Sequence, residues 1–176
     1  MKLDALTGLA THHAVAQRLG DTVSFGVLFD VDALAWATSV FGPAHSDRML
    51  VRVAEAVGTA ARRDGGEAFR IGGDEFLAWL PDASHDDALQ FARRVIREVA
   101  ALQLEYARPD DPSRRFVSLN AVVCQITAGL SADIERTRQW AAQMIWRAKQ
   151  ANGPHFEVVA DAGDAVPPWS VVPGTT

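Results

Sequence analysis

The chain has 176 residues, a formal net charge of −5, and hydrophobic side chains at 48% of its positions. This length and composition indicate one globular domain and exclude an intrinsically disordered chain. The negative charge argues against a surface that coats nucleic acid, so we expect no nucleic-acid partner. The single cysteine, Cys124, lies in an apolar run, which predicts a core residue and a reducing, cytoplasmic location. No stretch resembles a signal peptide or a membrane span, so we expect no membrane partner.

The predicted elements follow the order helix, strand, helix, hairpin, helix, strand, helix and strand. Apolar residues alternate over residues 22–31, which predicts a strand with Asp30 near its end. A helix is predicted to begin at Ser46 and to end at Arg63, and a hairpin is predicted over residues 67–80. The remaining predictions are a helix over 86–102, a strand over 116–126, a helix over 133–150 and a strand over 156–159.

This order predicts an α+β domain in which helices flank a central, mostly antiparallel sheet. The domain is predicted to span residues 1–160. Residues 161–176 are rich in proline, glycine and threonine, which predicts a loose tail.

The centre of the predicted hairpin reads Gly-Gly-Asp-Glu-Phe over residues 72–76. Two glycines at a turn accept positive φ angles and let a ligand approach the backbone closely, although they are also common in ordinary solvated turns. If the Asp30 strand and this hairpin are neighbours in the sheet, Asp30, Asp74 and Glu75 converge. Carboxylates that converge in this way are typical of a site for a hard divalent cation, Mg²⁺ or Mn²⁺.

Four motifs in order resemble the GGDEF family of diguanylate cyclases. They are Asp-Ala-Leu-Thr-Gly-Leu at 4–9, Phe-Asp-Val-Asp at 29–32, Arg-Ile-Gly-Gly-Asp-Glu-Phe at 70–76 and Trp-Arg-Ala-Lys at 146–149. The resemblance covers residues 4–158 and implies a palm-type nucleotidyl cyclase fold. It also implies the condensation of two GTP molecules into cyclic di-GMP, with release of pyrophosphate.

The resemblance assigns the metal and the chemistry to the acidic residues. Asp30, Asp74 and the backbone carbonyl of Val31 would bind the cation. Glu75 would be the catalytic carboxylate beside the attacking 3′-hydroxyl group, with Asp30 and Asp74 completing the catalytic set.

The resemblance also implies a set of substrate-binding residues. Gly72 and Gly73 would pass close to the triphosphate, and Lys149 would contact a phosphate. Asp47 would accept hydrogen bonds from guanine, with Thr38 at the position of a second guanine-binding residue. The alternative for Lys149 is a solvated helix end, and for Asp47 a charge that stabilises the start of a helix.

The chain departs from the family pattern mainly around base recognition. Thr38 replaces an asparagine, Ala35 a phosphate-contacting lysine, and Ala142 an aspartate. Three readings stay open: a working diguanylate cyclase, a related cyclase with another base preference, and a degenerate GGDEF domain that binds a nucleotide or protein without turnover. Turnover would require a second GGDEF chain. Because no dimerisation helix is visible in the sequence, we expect that homodimer to be weak.

Overall fold

The computed structural model describes residues 2–19, 24–106, 116–126, 134–152 and 159–161. Within these residues the strands are β1 (Ala10–Thr11), β2 (Ser24–Val31), β3 (Glu67–Arg70), β4 (Glu75–Leu80), β5 (Leu119–Ile126) and β6 (Val159–Asp161). The α-helices are α1 (Val15–Leu19), α2 (Leu34–Phe41), α3 (Pro43–Arg63), α4 (His85–Ala101) and α5 (Ile134–Asn152). None of the helices in these ranges is both long and apolar enough to cross a membrane.

The strands form a mixed sheet in the order β1-β3-β4-β2-β5-β6. The pairings β3–β4, β4–β2 and β2–β5 are antiparallel, whereas the outer pairings β1–β3 and β5–β6 are parallel. The predicted α+β class is therefore confirmed, and β2, which carries Asp30, lies between two antiparallel neighbours.

The sheet separates two apolar layers. Val27 and Phe29 of β2 pack in a buried cluster with residues of α3 and α4. Leu28, on the opposite face, packs with Ile145 of α5. Because successive side chains of a strand point to opposite faces, Asp30 shares the α5 face with Leu28.

Cys124 of β5 is buried in the layer that contains α5. Burial raises the pKa of its thiol to about 12, so the thiol stays protonated at neutral pH. The prediction that Cys124 is a core residue is confirmed.

The predicted helix start at Ser46 is wrong. The helix α3 begins at Pro43, because Gly42 has a φ of 83° and Pro43 suits the first helical position. Residues 34–41 form α2, which the sequence reading missed because this short helix carries apolar residues on more than one face.

Other boundaries differ by a few residues. The strand β5 begins at Leu119, and Phe116 makes only an isolated bridge to Glu105. The strand predicted over residues 156–159 lies partly outside the described residues, and β6 continues to Asp161. The predicted tail beyond Asp161 lies outside the described residues, so the domain boundary stays a prediction.

Gly66, between α3 and β3, is required for space. A Cβ atom there would lie 2.0 Å from the backbone carbonyl oxygen of Trp79 in β4. We expect Gly66→Ala to lower the free energy of unfolding by about 2 kcal/mol, because a strand backbone must shift. Urea denaturation checks this, with Gly73→Ala as the control, since a Cβ atom at Gly73 has nothing within 4 Å. Equal denaturation midpoints for the two variants would contradict the expectation.

Candidate functional site

An acidic edge forms where β2 ends beside the turn between β3 and β4. Asp30 lies in register with Glu75 on β4 and with Asn120 on β5. The backbone N–H of Val31 donates to the carbonyl oxygen of Asp74 over 3.0 Å. Strand pairing therefore brings Asp30, Val31, Asp74 and Glu75 together at one edge of the sheet. We call this group the acidic edge.

The acidic edge carries excess negative charge. Burial and the nearby carboxylates of Asp74, Glu75 and Asp32 together raise the pKa of Asp30 to about 7, against a hydrogen bond from the Asn120 side chain. Burial also raises the pKa of Glu75, whereas Arg138 acts in the opposite direction. Such crowding favours either a proton or a bound cation at the edge.

Helix α5 supplies two basic side chains to this region. The Nε of Arg138 donates to Oε2 of Glu75, and Nη1 of Arg138 lies 3.1 Å from Oε2 of Glu135. About three helical turns further on, Nζ of Lys149 lies 2.9 Å from Oδ1 of Asp32. Sequence reasoning missed Arg138; its spacing from Lys149 on one face of the helix was the only available signal.

Arg70 and Asp4, from two of the sequence motifs, hold the glycine turn. Arg70 donates from Nε to the carbonyl oxygen of Gly72 over 3.2 Å and from Nη2 to that of Gly73. Its Nη1 donates to Oδ1 of Asp4 over 2.8 Å. Asp4 also accepts hydrogen bonds from the backbone N–H and the hydroxyl group of Thr7.

Neither glycine of the turn uses the positive φ angles that glycine accepts, since neither lies in the left-handed region. Gly72 is required for space instead. A Cβ atom there would lie 2.0 Å from Oε2 of Glu75 and 2.7 Å from Nε of Arg138, whereas Gly73 faces open space.

The two residues predicted to contact the base lie on α2 and α3. The Thr38 hydroxyl donates to the carbonyl oxygen of Leu34 over 2.9 Å and lies 2.7 Å from Oγ of Ser46. Asp47 is exposed and lines a largely apolar cavity of about 460 Å³ together with Leu6. Because α3 begins at Pro43, Asp47 lies beyond its first turn, which argues against a helix-start charge as its main role.

The oxygen donors of the acidic edge fit a hard cation. Among the described residues, no three His, Cys, Asp or Glu side chains are arranged to hold a metal ion together. Glu75 is engaged by Arg138, so the three carboxylates lie at the same edge of the sheet but do not all face one metal position. The carboxylates of Asp30 and Asp74 and the carbonyl of Val31 are oxygen donors of the kind Mg²⁺ requires. Burial first and the neighbouring carboxylates second raise the pKa of Asp30, and a cation would neutralise the charge of those carboxylates.

Comparison with known proteins identifies the family. The family model "Diguanylate cyclase, GGDEF domain" matches residues 1–154. The chain is 28% identical over 145 residues to diguanylate cyclase DosC of Escherichia coli, across 82% of this chain and 30% of DosC. The chain thus spans less than a third of the curated relatives it matches.

Solved structures share the fold. The GGDEF domain of DgcB from Caulobacter crescentus, in complex with c-di-GMP, superimposes with a TM-score of 0.68 at 20% identity, covering 91% of this chain and 95% of that one. The GGDEF domain of PA1120 (TpbB or YfiN) from Pseudomonas aeruginosa gives 0.66 at 23% identity, with 92% and 95% covered. Because the family model matches residues 1–154 and the fold is shared with these structures, the chain belongs to the GGDEF family of diguanylate cyclase domains.

Proposed function

We propose that the chain condenses two GTP molecules into cyclic di-GMP and releases two pyrophosphates, with Mg²⁺ or Mn²⁺ as cofactor. The observation that carries the proposal is the acidic edge, where strand pairing holds Asp30, Asp74 and Glu75 beside the glycine turn. A GTP substrate and a reduced, buried Cys124 suit a cytoplasmic location.

The residues of the acidic edge have two roles in this proposal, binding of the cation and removal of a proton. The carboxylates of Asp30 and Asp74 and the carbonyl of Val31 would hold the cation. When bound, the cation supplies positive charge for the triphosphate and favours ionisation of the attacking hydroxyl group. Glu75 takes the proton of the 3′-hydroxyl group, a role that its burial and raised pKa favour.

Three further parts of the chain contact the substrate in this proposal. Gly73 presents backbone without a side chain, and a Cβ atom there would have nothing within 4 Å, so a triphosphate can approach the turn. Lys149 binds a phosphate as a point charge after it leaves Asp32. Asp47, at the wall of the 460 Å³ cavity, accepts hydrogen bonds from the base.

Guanine selectivity is expected to be modest, with a preference for GTP over ATP below about 100-fold, because a hydroxyl offers fewer hydrogen bonds than an amide. The Thr38 hydroxyl already donates to Leu34. Thr38→Asn is expected to tighten GTP binding about fivefold, a gain of about 1 kcal/mol. Competition between GTP and ATP measures both effects, with Ser39→Asn on the same helix as control. A wild-type preference of several thousandfold would contradict this assignment.

Turnover is expected to need two chains. Each domain holds one nucleotide, and the product has two phosphodiester links, so two sites must face each other. The rate per chain should therefore fall as the protein is diluted, because association is governed by mass action. Initial rates over a hundredfold range of protein concentration measure this. A constant rate per chain would show that one chain is sufficient.

A second candidate function is binding of a nucleotide without turnover. It is favoured by the ion pair between Glu75 and Arg138 and by Ala35 in place of a phosphate-contacting lysine. Incubation with GTP and Mg²⁺, and then with a mixture of nucleoside triphosphates, separates the candidates. Cyclic di-GMP supports the proposal, and a cyclic product with another base indicates an altered preference. Binding of GTP without any product would support the second candidate.

A further inference from the structure

Arg138 lies directly over the glycine turn of the acidic edge. Its Nε donates to Oε2 of Glu75, a side chain that is only 15% exposed. A Cβ atom on Gly72 would lie 2.7 Å from the same Nε, so the guanidinium packs against the turn backbone. The turn and the helix α5 therefore meet through this side chain.

The position of Arg138 is fixed from both sides. Nη1 of Arg138 donates to Oε2 of Glu135, one helical turn earlier, over 3.1 Å, and Nε of Arg138 donates to Oε2 of Glu75. Arg138 also lines a small cavity together with Asp30 and Glu75. A permanently charged guanidinium is thus held beside the oxygen donors proposed for the divalent cation.

A fixed positive charge that lines the same cavity as Asp30 opposes the binding of a second cation. Two like charges separated by several ångströms repel strongly at a partly buried site. The ion pair also withdraws Glu75, and among the described residues no three-carboxylate group faces a common metal position.

We propose that Arg138 is a resident cation that competes with the divalent metal for the acidic edge and sets the metal affinity of the domain. This inference rests on the proposed metal site at Asp30 and Asp74. Metal binding must then overcome the charge of Arg138, so the metal-free domain is held in a state of low affinity.

The test measures Mn²⁺ binding without nucleotide, by electron paramagnetic resonance or calorimetry at pH 8. Arg138→Leu is expected to tighten Mn²⁺ binding about tenfold, because one repelling charge is removed. Arg138→Lys keeps the charge and should remain within about twofold of the wild type. Arg147→Leu removes the same charge from an exposed position of α5 and should also remain within about twofold.

Asp30→Asn tests whether Mn²⁺ binds at the proposed metal site. It should weaken Mn²⁺ binding in both the wild-type and the Arg138→Leu backgrounds. If Asp30→Asn weakens binding and Arg138→Leu leaves it unchanged, the role of Arg138 is overturned while the metal site stands. If Asp30→Asn leaves Mn²⁺ binding unchanged, or no variant binds Mn²⁺, the metal site fails and this inference fails with it. Circular dichroism checks folding, and Arg138→Gln, with the same expected tightening, replaces Arg138→Leu if that variant does not fold.

Discussion

Asp30→Asn is expected to reduce the formation of cyclic di-GMP at least about a thousandfold, because an amide cannot supply the charge that binds a divalent cation. Asn has nearly the shape of Asp and can keep the position in register with Asn120, so the fold should survive. Product formation from GTP and Mg²⁺ measures the effect. The matched control is Asp82→Asn, which removes a carboxylate from an exposed turn. Activity within tenfold of the wild type would remove Asp30 from the proposed catalytic residues.

The same substitution is expected to stabilise the metal-free domain above pH 7. The pKa of Asp30 is about 7 in the folded chain, against an ordinary value of 3.8. Between these values the unfolded chain releases the proton more readily than the folded one, so the group lowers stability as the pH rises through this window. Asp30→Asn should therefore raise the free energy of unfolding by about 2 kcal/mol at pH 8 and by less at pH 5, after allowance for partial exposure. Denaturation at the two pH values checks this, and a variant less stable than the wild type at pH 8 would contradict it.

Gly72→Ala is expected to reduce cyclic di-GMP formation about a hundredfold while costing less than about 1 kcal/mol of stability. The added methyl group would lie 2.0 Å from Oε2 of Glu75. That atom is the end of a flexible side chain, so it can move without disturbing the strands. We expect the loss in activity because Glu75, the proposed catalytic carboxylate, must turn away from its position.

Gly73→Ala is the matched control, since it adds the same methyl group one residue later, where nothing lies within 4 Å of it. We expect its stability to stay within about 0.5 kcal/mol of the wild type. Product formation and urea denaturation of the two variants, side by side, separate an effect on the site from an effect on the fold. An equal loss of activity in both would indicate that the triphosphate, rather than Glu75, needs the glycine.

The central strands of the sheet were predictable because their patterns are local, whereas the two-residue strand β1 was not predicted. The alternation over β2 and the turn residues between β3 and β4 are visible in the sequence. The helix α4 was predicted within one residue of its bounds, and Ser84 and Asp87 form a capping box at its start. The helix α2 was missed because its apolar residues do not follow one face.

The candidate site was predictable only in part. The motifs identified the acidic residues, and pairing of Asp30 with Glu75 followed from placing two strands side by side. The contact between Glu75 and Arg138 depends on the rotation of α5 against the sheet, which no local pattern determines. The sequence also did not show why glycine is required at position 72. The side chains of Glu75 and Arg138, which belong to other elements, occupy the space that a Cβ atom would need.

The most direct test of the proposed function is the stoichiometry of the reaction of this chain with GTP and Mg²⁺. Cyclic di-GMP is quantified by mass spectrometry and pyrophosphate by a coupled assay on the same sample. We predict two pyrophosphates for each cyclic di-GMP, no product after removal of the metal with a chelator, and no product with Asp30→Asn. Release of inorganic phosphate without cyclic product, or binding of GTP with no product at high protein concentration, would contradict the assignment of this domain as a diguanylate cyclase.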